Sequence, residues 1–430
     1  MTRYDFAYRS LLIAGAPFWL LNRSARAKVK DAFKTRVASD IPAREGSGPC
    51  LLIHAVSVGE LNAAKALIER LRSARPELHV VVTTTTTTGD ELARKLYTGK
   101  PGFTVGRFPI DLSHAMKTLL DKVRPSVCVL MEQEVWPNFV RECETRRIPV
   151  IVANGRISKT GFRNLKLARP LLRRTFGRLT RVLAQEENYA DRYAYVGVPR
   201  DRIDVVGTMK FDTAPTEPTV LGSDQLAADM GIDLGKPLLV AGSTGPGEEA
   251  IVLDVYAKLR VEHPTLQLAI VPRHPPRFDE VANLIAARGL DCVRRSVHGP
   301  LPTAHRPVFL GDTMGELRKF YALATVVFVG RSLVDLGPKQ HGSDMLEPAA
   351  LTKPTIVGPF TGNFAEPMNA FRAAQSMIEV STPDGLHAAI QELLTDPARA
   401  TDLGTRARQV VQQNRGATDR HVERILELLK

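Results

Sequence analysis

The chain has 430 residues, more than one hydrophobic core usually organises, and 44% are hydrophobic against 24% charged, so we expect two folded domains without long disorder. Its formal net charge of +12 at pH 7 suits an anionic partner, but no basic patch interleaved with aromatic residues and no DNA-reading motif occurs, so nucleic acid is not expected. Four scattered cysteines without a Cys-x-x-Cys pair argue against a disulfide framework or a zinc site and indicate buried, reduced thiols in the cytosol.

The first 36 residues combine an apolar run with basic residues. The run, 11–21, is about half of the roughly 20 residues that a spanning helix needs, and residues 3–36 hold eight Lys/Arg against two Asp, a charge of +6 (8 − 2). Two arginines stand where a secretory signal would be cleaved, so we reject a signal peptide. The pattern favours an interfacial anchor with Phe18 and Trp19 at the headgroup level and the cations on anionic lipid. A buried helix with a solvated basic face is the alternative.

From residue 50 onward, short β-branched runs alternate with helical patterns, which is typical of a parallel sheet with crossover helices. The first series of predicted strands is 50–57, 79–86, 103–108, 126–131, 148–153, 181–185 and 203–206. A second series follows at 237–242, 266–271, 307–310, 325–330, 354–358 and 376–380. We therefore predict an α/β protein with two Rossmann-like, doubly wound parallel-sheet domains that face each other across a cleft.

The predicted boundaries are 1–36 for the membrane-association segment, 37–213 for the first domain, 214–223 for a linker rich in Pro, Thr and Gly, and 224–430 for the second domain with terminal helices. Ligands of open parallel sheets bind beyond the carboxyl ends of the strands, so functional side chains should follow the strands. No Gly-x-Gly-x-x-Gly follows the first strand, which argues against a nicotinamide dehydrogenase.

Three charged residues of the first domain stand at such positions. Glu60, at the end of HAVSVGE, falls in the first turn of a helix, where it is either a simple cap or a general base for an acceptor hydroxyl. Glu132 ends the fourth strand in MEQEVWPN, where apolar turn residues would suffice. Lys210, in GTMKFD, either faces an anionic donor or solvates a loop.

The second domain offers groups suited to a nucleotide. Ser243 and Thr244 form a small-residue loop before a helix, which suits an anion or a backbone contact. Arg273 lies between prolines in VPRHPP, and a fixed guanidinium suits phosphate or carboxylate, although a rigid turn alone can also explain it. Acidic residues of GDTMGEL and SDMLEPA open helices after strands, where they either hold ribose hydroxyls or cap the helix.

Eleven motifs occur in an order that resembles one family. They are HAVSVGE, TTTTTTG, MEQEVWPN, ANGRIS, GTMKFD, AGST with GEE, VPRHPPRF, GDTMGEL, VGRSLV, LEPAA and GPFTGNF. Each is weak alone, but together they make nearly the whole chain similar to the 3-deoxy-D-manno-octulosonic acid (Kdo) transferases of lipopolysaccharide synthesis, which have the GT-B fold. The resemblance implies an inverting enzyme that transfers Kdo from CMP-Kdo to a lipid A precursor (lipid IVA), without metal or other cofactor, as a peripheral or monotopic protein on the cytoplasmic face of the inner membrane.

The resemblance also implies residue roles. Glu60 matches the general base, and Glu132 and Lys210 match residues that stabilise the transition state. The residues that match CMP-contacting segments are Pro272, Arg273, Met314, Gly315, Glu316, Asp344, Met345, Leu346 and Glu347. Ser243 and Thr244 complete the predicted substrate site, and the first domain would bind the acceptor and the second CMP-Kdo.

One segment departs from the family. Where the family reads Gly-Gly-His-Asn, residues 337–344 read GPKQHGSD, with extra residues and Asp344 at the Asn position, which adds a negative charge near a CMP phosphate. Two other functions stay open at this point. One is a GT-B glycosyltransferase with a different nucleotide sugar, since fold alone does not fix the donor. The less favoured one is a non-catalytic, two-lobed sugar-binding protein, which would normally need an export signal.

Overall fold

The chain divides into two compact units, Met1–Thr213 with Gly416–Lys430 and Ala214–Arg415. The computed structural model describes residues 2–14, 22, 41–215, 217, 219–297, 307–337 and 340–429. Most of the predicted membrane-association segment, including Phe18 and Trp19, lies outside the described residues.

The first unit contains a parallel seven-stranded sheet in the order β3-β2-β1-β4-β5-β6-β7. Its strands are β1 (Cys50–His54), β2 (His79–Thr84), β3 (Phe103–Arg107), β4 (Val127–Met131), β5 (Val150–Gly155), β6 (Arg181–Ala184) and β7 (Ile203–Val205). Its helices up to the linker are α1 (Arg3–Ala14), α2 (Val58–Ala74), α3 (Thr87–Tyr97), α4 (Ser113–Val123), α5 (Pro137–Thr145), α6 (Lys159–Phe176), α7 (Glu187–Val196) and α8 (Lys210–Thr213), with a 3-10 turn at Arg200–Arg202.

The second unit repeats this plan with the strand order β10-β11-β9-β8-β12-β13-β14. Its strands are β8 (Leu238–Thr244), β9 (Gln267–Pro272), β10 (Cys292–Arg294), β11 (Val308–Leu310), β12 (Val326–Val329), β13 (Thr355–Val357) and β14 (Ile378–Glu379). Its helices are α9 (Ser223–Met230), α10 (Glu248–Glu262), α11 (Phe278–Ala287), α12 (Leu317–Leu323), α13 (Leu346–Ala350), α14 (Ala365–Ala373), α15 (Pro383–Thr395) and α16 (Pro397–Asn414), with 3-10 turns at Pro275–Arg277 and Gly362–Phe364.

Burial of the central strands on both faces explains why their sequences are continuously apolar. Every residue of β1 and β4 is buried, and Leu51 pairs with Val80 on one side and Val127 on the other. Helices cover the two faces, and α2 turns Leu61, Leu67 and similar apolar residues at helical spacing toward the sheet. Each predicted strand is present. Strand β10 is an addition. Val293 is its one buried residue, and Asp291, Arg294 and Arg295 surround it, so the sequence has no apolar run at this place.

The last helix, α17 (Ala417–Leu426), belongs to the first unit. The carboxylate of Asp212 accepts hydrogen bonds from the backbone N–H groups of Gly416 (2.7 Å) and Thr418 (2.6 Å), which start this helix. Ala417 and Ile425 are buried in the first core. The second domain was predicted to extend to residue 430, but in the structure it ends at Arg415. The chain returns to the first unit at Gly416, because α17 supplies part of the first core.

The start of the N-terminal segment packs on the first unit. Tyr4 and Asp5 are buried, the Tyr4 hydroxyl lies 2.9 Å from that of Thr175, and the Asp5 carboxylate accepts hydrogen bonds from the N–H (2.8 Å) and hydroxyl (2.6 Å) of Ser113. In the described ranges, no helix has both the length and the apolar character to cross a bilayer.

The cysteines are free thiols, as predicted. Cys50, Cys128 and Cys143 are buried and Cys292 is half-buried. The sulfurs of Cys128 and Cys143 lie 3.9 Å apart inside the first core.

Candidate active site

The first candidate group follows β1, where Ser57 caps α2. The Ser57 hydroxyl accepts a weak hydrogen bond from the Glu60 N–H (3.5 Å) and donates to the Glu60 carboxylate (3.1 Å), whose other oxygen accepts from the Val56 N–H (2.8 Å). This arrangement is a variant of the capping box in which the carboxylate accepts from the residue before the N-cap, so the interpretation of Glu60 as a cap is correct. The same bonds also fix where the carboxylate points, which a general base requires.

Electrostatics at Glu60 favour the neutral form. Burial of its side chain, followed by the negative charge of Glu132, raises the pKa of Glu60 to about 8, although the hydrogen bond from Val56 works in the opposite direction. Glu134 adds a smaller effect of the same sign as Glu132. A carboxyl with a pKa near neutrality can take up and release a proton under working conditions. Glu60 and Glu132, predicted separately from two motifs, therefore belong to one electrostatic group.

Glu132 has a left-handed backbone, with φ of 53°. Its N–H donates to the carbonyl of Ala153 on the neighbouring strand (2.9 Å), and its own carbonyl accepts from the Tyr193 hydroxyl (2.6 Å). A left-handed conformation costs a non-glycine residue about 1–2 kcal/mol, and it persists because these bonds determine the backbone. The residue that carries this carboxylate at the end of β4 therefore has a backbone conformation that lowers the stability of the folded state.

Asn154, near the end of β5, is a second left-handed residue, with φ of 53°. Its N–H donates to Nε2 of His421 on α17 (2.9 Å), and its side-chain oxygen accepts from the N–H of Met209 (3.3 Å). His421 is buried, its Nδ1 lies 2.7 Å from the carbonyl of Ala417, and burial lowers its pKa to about 4. A neutral ring with a proton on Nδ1 satisfies both bonds. The last helix thus holds the edge of the sheet beside Glu132.

Lys210 opens the short helix α8, which contacts both α2 and α17. Its N–H donates to the Thr208 hydroxyl (3.4 Å). Asp212, two residues on, caps α17, and Met209, one residue before, bonds to Asn154. The segment that carries Lys210 is therefore tied to the helix of Glu60 and to the C-terminal helix.

In the second unit, Glu248 organises the ends of two neighbouring strands. This fully buried carboxylate accepts four backbone hydrogen bonds, from Gly245 (2.8 Å) after β8 and from Arg331 (2.5 Å), Ser332 (2.9 Å) and Leu333 (2.9 Å) after β12. Since β8 and β12 pair directly, one side chain fixes both loops. A carboxylate with this number of N–H donors is well satisfied in spite of its burial.

Ser243 and Thr244 lie buried at the carboxyl end of β8. Ser243 has a left-handed φ of 55°, and its carbonyl accepts from the Ser343 hydroxyl (3.3 Å). The carbonyl of Thr244 accepts from the Arg273 N–H (3.1 Å), while its buried hydroxyl has no hydrogen-bond partner among the described residues. The predicted loop is thus strained and holds a polar atom that the fold leaves unsatisfied.

Pro272 ends β9 and Arg273 follows it with an exposed side chain. The charge of Arg273 affects Glu347, at the start of α13. Burial and the charge of Asp344 raise the pKa of Glu347 to about 7, while Arg318 and Arg273 lower it. Asp344 accepts a hydrogen bond from the Leu346 N–H (2.8 Å). The charges of Arg273 and Asp344 therefore both act on Glu347, and the extra charge of Asp344 raises its pKa.

The remaining residues of α13's first turn are core residues: Met345 and Leu346 are completely buried. Their side chains pack inside the unit, so a ligand could meet only their backbone. Of the four predicted residues in this segment, only Asp344 and Glu347 have partly exposed side chains.

The GDTMGEL turn places its three predicted residues differently. Met314 is 68% exposed, and Gly315 has a φ of 87° that favours glycine. The Glu316 carboxylate accepts hydrogen bonds from Thr313 (2.6 Å), Arg295 (3.0 Å) and Lys319 (2.9 Å). Burial alone would raise the pKa of Glu316, but these three bonds lower it to about 2. Glu316 therefore anchors the turn, and Met314 and Gly315 form its accessible surface.

Four residues that form or support these strand ends were given no role in the sequence analysis: Asn154, Glu248, Arg331 and His421. Glu248 carried a weak signal, since it follows a glycine at a helix start. Asn154 and Arg331 lie in the motifs ANGRIS and VGRSLV, but no local signal in the sequence marks their left-handed conformation. In the described residues, no group of three or more His, Cys, Asp or Glu side chains is placed to hold a metal ion.

Comparison with known proteins gives consistent results. The family model for 3-deoxy-D-manno-octulosonic-acid transferase (kdotransferase) matches residues 30–213. The 3-deoxy-D-manno-octulosonic acid transferase of Haemophilus influenzae is 33% identical, with 99% of this chain and 98% of that protein aligned. The protein of the same name from Bordetella pertussis is 33% identical, with 88% and 87% aligned.

Among solved structures, UDP-GlcNAc 2-epimerase from Neisseria meningitidis bound to UDP-GlcNAc has a TM-score of 0.58 at 15% identity, covering 88% of this chain and all (100%) of that one. At this identity the likeness concerns the fold alone. It confirms the predicted fold class of two Rossmann-like domains.

The raised pKa of Glu60 makes a prediction about stability. Its ordinary value is 4.5 and its folded value is about 8, so below pH 4.5 both states are protonated and the carboxyl costs nothing. Between pH 4.5 and 8 the unfolded state loses the proton first, so folding becomes less favourable as pH rises. Glu60→Gln keeps a hydrogen-bonding group at the start of α2 and never ionises. The free energy of unfolding of this variant minus that of wild type, measured with denaturant on the full chain, should therefore increase from pH 5 to pH 8.

Glu69→Gln is the matched control, because Glu69 is a surface carboxylate on the same helix, 61% exposed. A difference between wild type and Glu60→Gln that stays constant from pH 5 to pH 8 would contradict the raised pKa.

Proposed function

The chain belongs to the Kdo transferase family, and we propose that it is an inverting glycosyltransferase that moves Kdo from CMP-Kdo to a lipid A precursor (lipid IVA) at the cytoplasmic face of the inner membrane. Identity of 33% across 99% of the chain carries the family assignment. The strand-end residues support the reaction: the first unit supplies Glu60, a carboxyl with a pKa near neutrality, and the second supplies the exposed guanidinium of Arg273.

The proposed step is a single displacement. Glu60 takes the proton of the acceptor hydroxyl, whose oxygen forms a bond to the anomeric carbon of Kdo. The bond from that carbon to the phosphate oxygen breaks on the opposite side, so the anomeric configuration inverts and CMP leaves with the electron pair. Lys210 and Arg273 meet the negative charge that develops on the phosphate, and Glu132 stabilises the positive charge on the sugar ring.

The Glu60 environment supports its role as base. Its carboxylate is oriented by Val56 and Ser57, and the pKa of about 8 gives it enough basicity to accept a proton from a hydroxyl in the transition state. Only the ionised form can act, so the rate should rise with pH.

The membrane surface is the second part of the proposal, and α6 supports it. This helix carries six Lys/Arg and no acidic residue. Leu167 is 83% exposed and Leu171 41% exposed among these cations, and Tyr195 of α7, 45% exposed, lies under Lys166 and Arg169. Exposed apolar groups within a basic face are typical of attachment to anionic lipid rather than to nucleic acid.

Helix α6 also begins beside the loop that follows β4. A side chain added at Gly161, in its first turn, would come within 2.8 Å of the amide of Gln133, the neighbour of Glu132. A lipid surface on α6 would therefore lie close to the edge of the sheet where the acceptor hydroxyl must react.

The direct test is transfer itself. Wild type incubated with a tetra-acylated lipid A precursor and CMP-Kdo made in situ should add one or more Kdo units to the lipid mass. Glu60→Gln should be slower by about 10²–10⁴-fold, because the base is lost, and kcat/KM of wild type should rise with pH through about 8. Glu69→Gln should behave as wild type.

Full activity of Glu60→Gln would exclude it as the base. Lipid left unchanged by folded wild type, while a UDP-sugar is consumed instead, would favour the alternative of another GT-B glycosyltransferase.

The membrane surface is tested with vesicles that contain phosphatidylglycerol. The double variant Leu167→Asp, Leu171→Asp should reduce vesicle binding in flotation by about tenfold or more, because it removes two apolar contacts and adds charge of the wrong sign. Leu234→Asp, at a residue 60% exposed in the second unit, is the matched control. Equal binding of both variants would exclude α6 as the lipid-binding face.

A further inference from the structure

Arg331 lies at a strained and central position of the second unit. It follows β12, the direct neighbour of β8, and its φ is 58°. Other left-handed residues, such as Thr352 and Gln375, follow the ends of helices, where this conformation is common. Arg331 instead follows a strand, and glycine would fit the backbone there without strain.

The backbone of Arg331 is held from both sides. Its N–H donates to the Glu248 carboxylate (2.5 Å), and its carbonyl accepts from the N–H of Gly342 (2.6 Å). The neighbouring N–H groups of Ser332 and Leu333 bind the same carboxylate. These contacts use the main chain only, so they explain the conformation but not the choice of arginine.

The guanidinium has no counterion within the described residues. Its Nε is buried without a hydrogen-bond partner, and the carboxylate of Glu248 is engaged by backbone N–H groups. Burial and the like charge of Arg273 lower the pKa of Arg331, and Glu248 acts in the opposite direction. His274 also feels both arginines, which contribute to its lowered pKa. Arg273 and Arg331 therefore repel each other in one region of the second unit, and an anionic ligand there would reduce the repulsion.

The side chain of Arg331 packs against the loop that follows β8. A Cβ added at Gly245 would come 3.1 Å from Cγ of Arg331, so the arginine lies along the loop that follows β8. Arg273 donates its N–H to Thr244 at the same strand end. Arg273 and Arg331 therefore lie on either side of the carboxyl end of β8, where an open parallel sheet receives its ligand.

Two buried hydroxyls at this strand end are also unsatisfied. The hydroxyls of Thr244 and Tyr321 have no partner among the described residues. Tyr321 lies directly against the end of β8, because a Cβ on Gly242 would be 2.3 Å from its hydroxyl oxygen. Unpaired polar groups of a native core usually belong to a ligand or an ordered water.

We propose that Arg331 binds an anionic group of the sugar donor, together with Arg273, at the carboxyl end of β8. This assignment rests on the proposed function, whose donor carries two anions, the phosphate and the carboxylate of Kdo. A guanidinium binds either in a bidentate manner. A glycine at position 331 would remove the backbone strain, but it would also remove the guanidinium, and Arg273 alone would then face the two anions of the donor.

The test uses Arg331→Gly and Arg331→Gln in the full chain, with Gln375→Gly as a control for glycine at a left-handed position without loss of charge. CMP and cytidine binding are measured by calorimetry, KM for CMP-Kdo in the transfer assay, and melting temperature by scanning. We expect Arg331→Gly to melt no lower than wild type, because glycine relieves the strain, while losing about 10- to 100-fold in donor affinity.

The two anions are distinguished by the ligand affected. Weaker CMP binding with unchanged cytidine binding assigns Arg331 to the phosphate. Unchanged CMP binding with a raised KM for CMP-Kdo assigns it to the carboxylate. Wild-type affinity and KM in both variants, or a lower melting temperature of Arg331→Gly than of Gln375→Gly with no loss of affinity, would overturn the proposal. Wild type that neither binds CMP nor uses CMP-Kdo would instead refute the proposed function.

Discussion

Backbone geometry at the ends of the central strands is the constraint on which both candidate sites depend. In the described part of the chain, four non-glycine residues hold a left-handed conformation at such ends: Glu132, Asn154, Ser243 and Arg331. Each conformation is unfavourable alone and persists only where hydrogen bonds determine it. Two of these positions, Glu132 and Arg331, carry charged residues of the candidate sites, so the cost in stability is linked to the function of the edge.

The two units meet this constraint by different means. In the second unit one buried carboxylate, Glu248, fixes the loops after β8 and β12 through backbone N–H groups. In the first unit the support comes from the end of the chain: His421 on α17 accepts from Asn154, and Asp212 caps the same helix. The segment that carries Lys210 lies between these contacts. The last helix is therefore part of the site's framework, although it is distant in sequence.

Prediction from the sequence succeeded where periodicity and composition carry the signal. Continuous apolar runs predict the central strands because both faces of these strands are buried. Strand β10 was missed because only Val293 of its three residues is buried and charged residues surround it. Glu60 was correctly placed at the helix start, where it serves as a cap and is also available as a base. Glu316 was predicted to contact the ligand, but its carboxylate binds Lys319 in the next helical turn and Arg295, 21 residues away. No local pattern reveals the partner Arg295. The return of α17 to the first unit and the left-handed conformation of Glu132, Asn154, Ser243 and Arg331 were missed for the same reason, since both follow from tertiary contacts.

Hydrogen–deuterium exchange of the full chain with and without CMP is the measurement that tests the account most directly. If the donor binds beyond the strands of the second unit, peptides covering 243–248, 271–274 and 330–334 should exchange more slowly with CMP, while buried strands away from this edge stay unchanged. Binding of CMP seen by calorimetry that leaves these three segments unaffected would contradict the account.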